Sequence, residues 1–221
     1  MNIYAIIPIR GGSKRFPGKN IFEIAGIPLF LFSTHIAQQS NIFSKIIISS
    51  DNEDYLNLAK IHNCSVHRRS QRSSSDSAST EDVIEEVIKD SQFKNEDWVF
   101  LIQSTNPFQQ EKYFKDAVKH IRSNVSSILT FRKFKRFFIE DVIAGERKRT
   151  QDLSYRKLET GLFWAFNVGD FLLKKQRIIK PFELVEIDEF DDVDIDYRED
   201  LYPHIPRLER LADKIKLQTN K

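Results

Sequence analysis

The chain has 221 residues, enough for one domain of ordinary size with a substantial core. Its 34 Lys and Arg against 32 Asp and Glu leave a net charge of +2, which argues against a general nucleic-acid binder, whose basic face would tilt the total. The single cysteine, Cys64, excludes an internal disulfide and a cysteine-based zinc site, and within Cys64-Ser65-Val66 it reads as a small buried hydrophobe. The apolar run before Arg10 is short and lacks a small-residue cleavage site, and no stretch reaches the length of a membrane span. A cytoplasmic protein with no membrane or nucleic-acid partner is expected.

In chain order, residues 3–9 predict an apolar strand that opens into Arg10-Gly11-Gly12-Ser13-Lys14-Arg15-Phe16-Pro17-Gly18-Lys19-Asn20. Glycines let the backbone bend sharply and aim several N–H groups at one anion, while Arg10, Lys14, Arg15 and Lys19 supply matching charge. Arg10 and Lys19 read as uncompensated cations at a strand end, where open α/β sheets bind ligands. The loop is not a Walker loop, because Ser13 stands where its first glycine belongs and Asn20 replaces its closing hydroxyl. Nor is it G-x-G-x-x-G, since its glycines fall at 11, 12 and 18.

A helix is predicted over 28–39, with proline in its first turn, then an isoleucine-rich strand over 45–49. A helix over 52–61 follows, with Leu56, Ala59 and Lys60 stacked at helical spacing, and a short strand over 64–67. Ser79-Thr80-Glu81-Asp82 reads as a helix start, ahead of the apolar face Val83, Ile84, Val87 and Ile88. Strands over 98–103 and 125–131 flank a helix over 111–121. The pattern loosens over 134–149 into cations and aromatics, then resumes at 162–166 and 183–187. This succession implies one domain with a parallel sheet covered by helices on both faces.

Near the C-terminus, Asp191-Asp192-Val193-Asp194-Ile195-Asp196 alternates aspartate with branched residues. Read as a strand end, it puts Asp194 and Asp196 on one face, about 7 Å apart at their α-carbons. Two such carboxylates suit magnesium, which prefers carboxylates together with phosphate oxygens. An acidic sheet edge would read alike, but a polycationic loop elsewhere in the chain favours the metal.

Together these segments resemble the acylneuraminate cytidylyltransferases, enzymes that activate sialic and related nonulosonic acids as CMP-sugars. The glycine loop carries the closest likeness. Ile48-Ser49-Ser50-Asp51, Ser75-Asp76-Ser77-Ala78-Ser79-Thr80, Leu101-Ile102-Gln103-Ser104-Thr105-Asn106-Pro107-Phe108, Arg149-Thr150-Gln151-Asp152-Leu153 and Thr160-Gly161-Leu162-Phe163-Trp164 follow in the family's order. The resemblance implies a three-layer α/β/α Rossmann-like nucleotidyltransferase fold with a mainly parallel sheet. It also implies a small arm, residues 131–160, that packs on a second copy to make a homodimer. It assigns the triphosphate to Arg10, Gly11, Gly12, Ser13 and Lys19, and the cytidine to Asn20, Arg69, Ser79 and Thr80. Arg68 stands beside Arg69 and could trade places with it. Gln103 and Gln151 would contact the sugar, and Asp194 and Asp196 would hold Mg2+. The implied reaction transfers CMP from CTP to the acid's anomeric hydroxyl and releases pyrophosphate. A Kdo or sugar-phosphate nucleotidyltransferase, or a non-catalytic nucleotide-binding relative, is the alternative. Gln109, Leu158 and Thr160 depart from the family on the sugar side.

Overall fold

The computed structural model describes residues 1–75, 77–140 and 149–219. Its centre is a seven-stranded sheet in the order β5-β4-β1-β6-β8-β7-β9, built from β1 (Ile3–Pro8), β4 (Lys45–Ser50), β5 (Ser65–Arg68), β6 (Trp98–Ile102), β7 (Ser127–Phe134), β8 (Arg156–Asn167) and β9 (Phe182–Glu186). A two-stranded antiparallel ribbon, β2 (Glu23–Ile24) with β3 (Ile27–Pro28), stands apart. β1 pairs in parallel with β4 and β6, and β7 with β9, whereas β8 runs antiparallel between β6 and β7. The sheet is therefore mainly parallel, with one reversed strand.

Helices cover both faces. α1 (Leu29–Gln39), α2 (Glu53–Ile61), α4 (Glu111–Lys119) and α6 (Ile205–Thr219) share one core with Ala5, Ile7, Phe100 and Phe163. α3 (Thr80–Asp90) and α5 (Val168–Lys174) pack on the other face against Ile6, Val99, Leu101 and Phe166. Neighbouring residues of one strand feed opposite cores, which is why these strands read as continuous apolar runs rather than alternating ones. α2 buries Tyr55, Leu56 and Ala59 and leaves Lys60 in solvent, so its inner face is set one residue earlier than expected. The hairpin β2–β3 and helices α5 and α6 were not expected from the sequence.

β7 and β8 run beyond the sheet body as an antiparallel ribbon, with Phe131 opposite Glu159 and Phe134 opposite Arg156. Here the mixture of cations and aromatics acquires a structure: the Arg156 guanidinium lies 4.2 Å over Phe138 and the Lys157 ammonium 5.0 Å over Phe131. Residues 141–148 of the expected arm lie outside the described residues.

Strand order places the ligand crevice. After β1 the chain pairs β4 on one side, while β6 joins from the other, and loops leaving such a switch point part at the carboxyl ends of the strands.

Candidate active site

A cleft of about 570 Å³ opens there, walled by the glycine loop, the end of β6, the start of α3 and the middle of β8. The Ile9 N–H still donates to the Ser49 carbonyl at 2.9 Å, so the chain leaves the sheet only at Arg10. Gly18 then takes a left-handed conformation, φ 70°, which glycine adopts without steric cost. That turn feeds the short 3-10 segment Lys19–Ile21, whose Lys19 and Asn20 are buried. The Asn20 amide donates to the Arg10 carbonyl at 3.0 Å, and its oxygen accepts from the Ser104 hydroxyl at 2.8 Å. Asn20 lines the cleft, but its side chain is committed to closing the loop and tying it to β6.

One loop N–H assigned to an anion has another partner. The Gly11 N–H donates to Asp51 Oδ1 at 2.8 Å, because Asp51 arrives beside it from the end of β4.

Nor is Lys19 uncompensated. Its ammonium donates to the Ile195 carbonyl at 2.6 Å and to Asp196 Oδ1 at 3.1 Å, and Arg15 reaches the same oxygen at 2.8 Å. Loop and acidic segment are thus two sides of one charged junction.

The acidic residues divide by partner. Asp191 is buried, accepts from the Tyr113 hydroxyl at 2.6 Å and pairs with Arg207, while Asp192 pairs with Arg132. Asp200 accepts the N–H groups of Asp196 and Tyr197 at 2.8 and 2.7 Å. Those bonds turn the chain into the 3-10 segment Arg198–His204, so residues 192–196 form a loop and not the expected strand end. It is pinned to β6 by the Ile195 N–H, which donates to the Thr105 carbonyl at 2.9 Å.

Asp194 and Asp196 nevertheless lie within electrostatic reach of each other, Asp196 joined to the cleft through Lys19 and Asp194 lining a neighbouring groove with His204 and Arg207. Desolvation by the protein around its carboxyl raises the Asp194 pKa above the ordinary value, and the charge of Asp196 adds to the rise. A hydrogen bond from Thr105 and the charges of Lys19 and Arg15 oppose it. A half-buried carboxylate disfavoured by desolvation and by a neighbouring carboxylate's charge is a donor set a hard divalent cation relieves, so the residues fit magnesium.

On the opposite wall the two arginines part. Arg69 lines the cleft, donating to the Ser49 hydroxyl at 3.2 Å and the Ser49 carbonyl at 3.1 Å, whereas Arg68 pairs with exposed Glu53 outside it. Burial lowers the Arg69 pKa, and Arg10 pushes the same way against the opposing charge of Asp51. Cations near enough to repel across a cleft favour an anion between them. Ser79 caps α3 as expected, accepting from the Asp82 N–H at 3.1 Å while Asp82 Oδ2 accepts from the Ser79 N–H at 2.8 Å. Ser13, Ser79 and Thr80 all line the cleft.

Gln103 is oriented by its neighbours. The Asn106 amide donates to Gln103 Oε1 at 3.2 Å, with the Thr105 hydroxyl 3.3 Å from the same oxygen, which leaves the Gln103 amide N–H groups for the cleft. Next to it β8 is irregular: Gly161, φ 64°, steers the Leu162 carbonyl to the Gln103 N–H at 3.3 Å and the Gln109 amide at 2.9 Å. Gln109 is therefore a buried strut. The Thr160 hydroxyl donates to Thr130 at 2.9 Å, and Leu158 sits exposed on the ribbon.

Gln151 is not brought to the cleft. It lies exposed in the 3-10 turn Thr150–Asp152, where its carbonyl accepts from Lys135 at 2.6 Å. Trp164 and Arg177 line the cleft without having been singled out as contacts. Trp164 stood within a quoted segment, but Arg177 lies in no motif; only the tertiary structure sets its guanidinium 4.4 Å over Trp164 and 3.1 Å from Glu81.

The cytidylyltransferase family profile matches residues 4–162. The chain is 32% identical over 177 residues to N-acylneuraminate cytidylyltransferase A of Danio rerio, covering 74% of this chain and 41% of that protein. It is 30% identical over 197 residues to a pseudaminic acid cytidylyltransferase of Campylobacter jejuni, covering 82% and 84%. The chain thus spans less than half of the zebrafish relative and most of the bacterial one. Among solved structures, a CMP:2-keto-3-deoxy-manno-octonic acid synthetase complexed with CTP superposes with TM-score 0.71 at 14% identity, covering 95% of this chain and 99% of that one, a likeness of fold. No helix among the described residues is long and apolar enough to cross a membrane. The profile match over most of the chain and the 30% identity to the bacterial relative lead to one conclusion: the chain belongs to the cytidylyltransferase family.

Proposed function

We infer that the protein transfers CMP from CTP to the anomeric hydroxyl of a sialic, pseudaminic or related nonulosonic acid, releasing pyrophosphate. The observation that carries this reading is the junction of the glycine loop with the acidic segment, where Lys19, which lines a cation-rich cleft, bridges to Asp196. The relatives named for sialic and pseudaminic acids support the acceptor class.

Little covalent work falls to the side chains in such a transfer; alignment and neutralisation of phosphate charge dominate. Arg10, Ser13 and Lys19, with the loop backbone at Gly12, hold the triphosphate, and Gly11 shapes the loop. Arg69, Ser79 and Thr80 face the nucleoside, with Asn20 fixing the loop beneath it. Gln103 donates to an acceptor atom of the sugar acid. Asp194 and Asp196 would hold magnesium, which supplies countercharge to the phosphates and lowers the pKa of the attacking hydroxyl.

We place the enzyme in the cytoplasm as a homodimer, with residues 131–160 as the arm. Cys64 is the single cysteine and is buried, so no disulfide calls for an oxidising compartment. The exposed Tyr155, Leu158 and Ile139 on and beside the ribbon support the dimer. On the arm, Gln151 would reach the sugar only in the partner copy's cleft.

Pyrophosphate release from CTP, measured with sialic acid, pseudaminic acid, Kdo and a sugar phosphate, tests the reading. Release with a nonulosonic acid alone is expected. Comparable rates with UTP, ATP or GTP would overturn the nucleotide assignment, and nucleotide binding without turnover on any acceptor would favour the non-catalytic alternative.

A further inference from the structure

Beside Arg69, across the shared Ser49 hydroxyl, one imidazole meets two carboxylates. His67 Nε2 stands 3.2 Å from Asp90 Oδ2 and 3.6 Å from Glu86 Oε1. These ligand atoms lie within 4.8 Å of one another. We propose that His67, Glu86 and Asp90 form a binding site for a divalent transition ion of the zinc type, separate from the Asp194–Asp196 pair.

Geometry supports it first. Zinc bonds of about 2.0–2.1 Å at tetrahedral angles set neighbouring ligand atoms about 3.3–3.4 Å apart, close to the two separations here. Glu86 and Asp90 are one helical turn apart on α3, so both carboxylates lean to the same side, toward a histidine fixed at the end of β5.

The surroundings agree as well. Ligating imidazoles are oriented by a partner on the other ring nitrogen, and His67 Nδ1 lies 3.1 Å from the buried Ser49 hydroxyl. Zinc on Nε2 puts the ring proton on Nδ1, and the Ser49 oxygen can accept it beside the Arg69 N–H, since a hydroxyl has two lone pairs. Glu86 is braced by the Ser70 N–H at 2.6 Å and the Ser70 hydroxyl at 2.7 Å. A second cavity of about 310 Å³, lined by Glu86, Asp90, Ser70 and Ser73, offers an entry path and room for water ligands. The cations on its rim are matched, Arg72 by Asp82 and Lys89 by Glu85. An imidazole in the donor set selects zinc, nickel or cobalt over magnesium, which favours all-oxygen sites.

The test is a calorimetric titration of the whole chain with zinc chloride under excess magnesium, repeated with cobalt to follow its visible ligand-field bands. One zinc per chain is expected, lost in His67→Ala and weakened by at least about tenfold in Asp90→Asn and Glu86→Gln. His120→Ala, at a histidine outside the cluster and 3.9 Å from Glu183, is expected to bind zinc as the wild type does. The Asp90 side chain is 61% exposed, so Asp90→Asn decides the matter even where His67→Ala misfolds. No zinc uptake under magnesium, or unchanged binding and cobalt bands in Asp90→Asn and Glu86→Gln, would leave a proton-bridged histidine and overturn the proposal.

Discussion

Replacing Lys19 with methionine keeps most of the buried stem and removes only the ammonium. In the folded chain that ammonium satisfies the carbonyl of fully buried Ile195 and meets Asp196. An orphaned buried carbonyl costs about 1–3 kcal/mol, and the lost ion pair adds less, because Arg15 remains on Asp196. A net loss of roughly 2–3 kcal/mol lowers the melting temperature of a domain this size by about 4–12 °C. Activity is expected to fall further than stability explains. An oriented charge at developing phosphate charge is worth on the order of 3 kcal/mol, or about a hundredfold in kcat/KM. Pyrophosphate release should be measured well below the variant's melting transition, beside Lys60→Ala as a surface control. A Lys19→Met enzyme that melts several degrees lower yet works within about threefold of wild type would refute the reasoning, leaving Lys19 as a strut between loop and acidic segment.

Further outcomes follow from other contacts. Asp194→Asn is expected to lose most activity while melting no lower than wild type at neutral pH, because the folded chain disfavours its ionised form; a melt several degrees lower would contradict this. The sign is fixed by the raised pKa: the folded state holds this proton more tightly, so the contribution of Asp194 to stability falls as pH rises through that window. Activity should conversely fall on acidification with a midpoint above the usual aspartate range, read from a pH profile of kcat/KM. Ser79→Ala should cost roughly 1 kcal/mol by loss of the α3 cap, seen in a urea melt. Arg10→Ala should raise the KM for CTP and lower kcat; an unchanged rate would remove Arg10 from the triphosphate site. Light scattering should give twice the chain mass at micromolar concentration, and a monomer would rule out the arm.

The sequence by itself determined the alternation of strands and helices, the cap at Ser79, the cationic loop and the family. These are local signals: apolar periodicity, capping chemistry and glycine spacing each act within a few residues. Element ends drifted where neighbours decide them. β8 extends to residue 156 because β7 offers a ladder partner along the ribbon, although its outer half is polar enough to read as loop. The reversal of β8 was hidden for the same reason, since its buried core half is as apolar as a parallel strand. Tertiary structure alone decided which charges meet. Lys19 and Asp196 are 177 residues apart, and nothing local in either segment tells that one neutralises the other. The choice of Arg69 over Arg68 likewise follows from the pleat: successive residues leaving β5 point to opposite sides, one toward Glu53 on the surface and the other toward Ser49 and the cleft. Asn20, Gln109 and Asp191 carry polar groups that a motif reading assigns to ligands or solvent. Burial spends them on Arg10 and Ser104, on Leu162, and on Tyr113 and Arg207, because a buried polar group must find its partner within the protein.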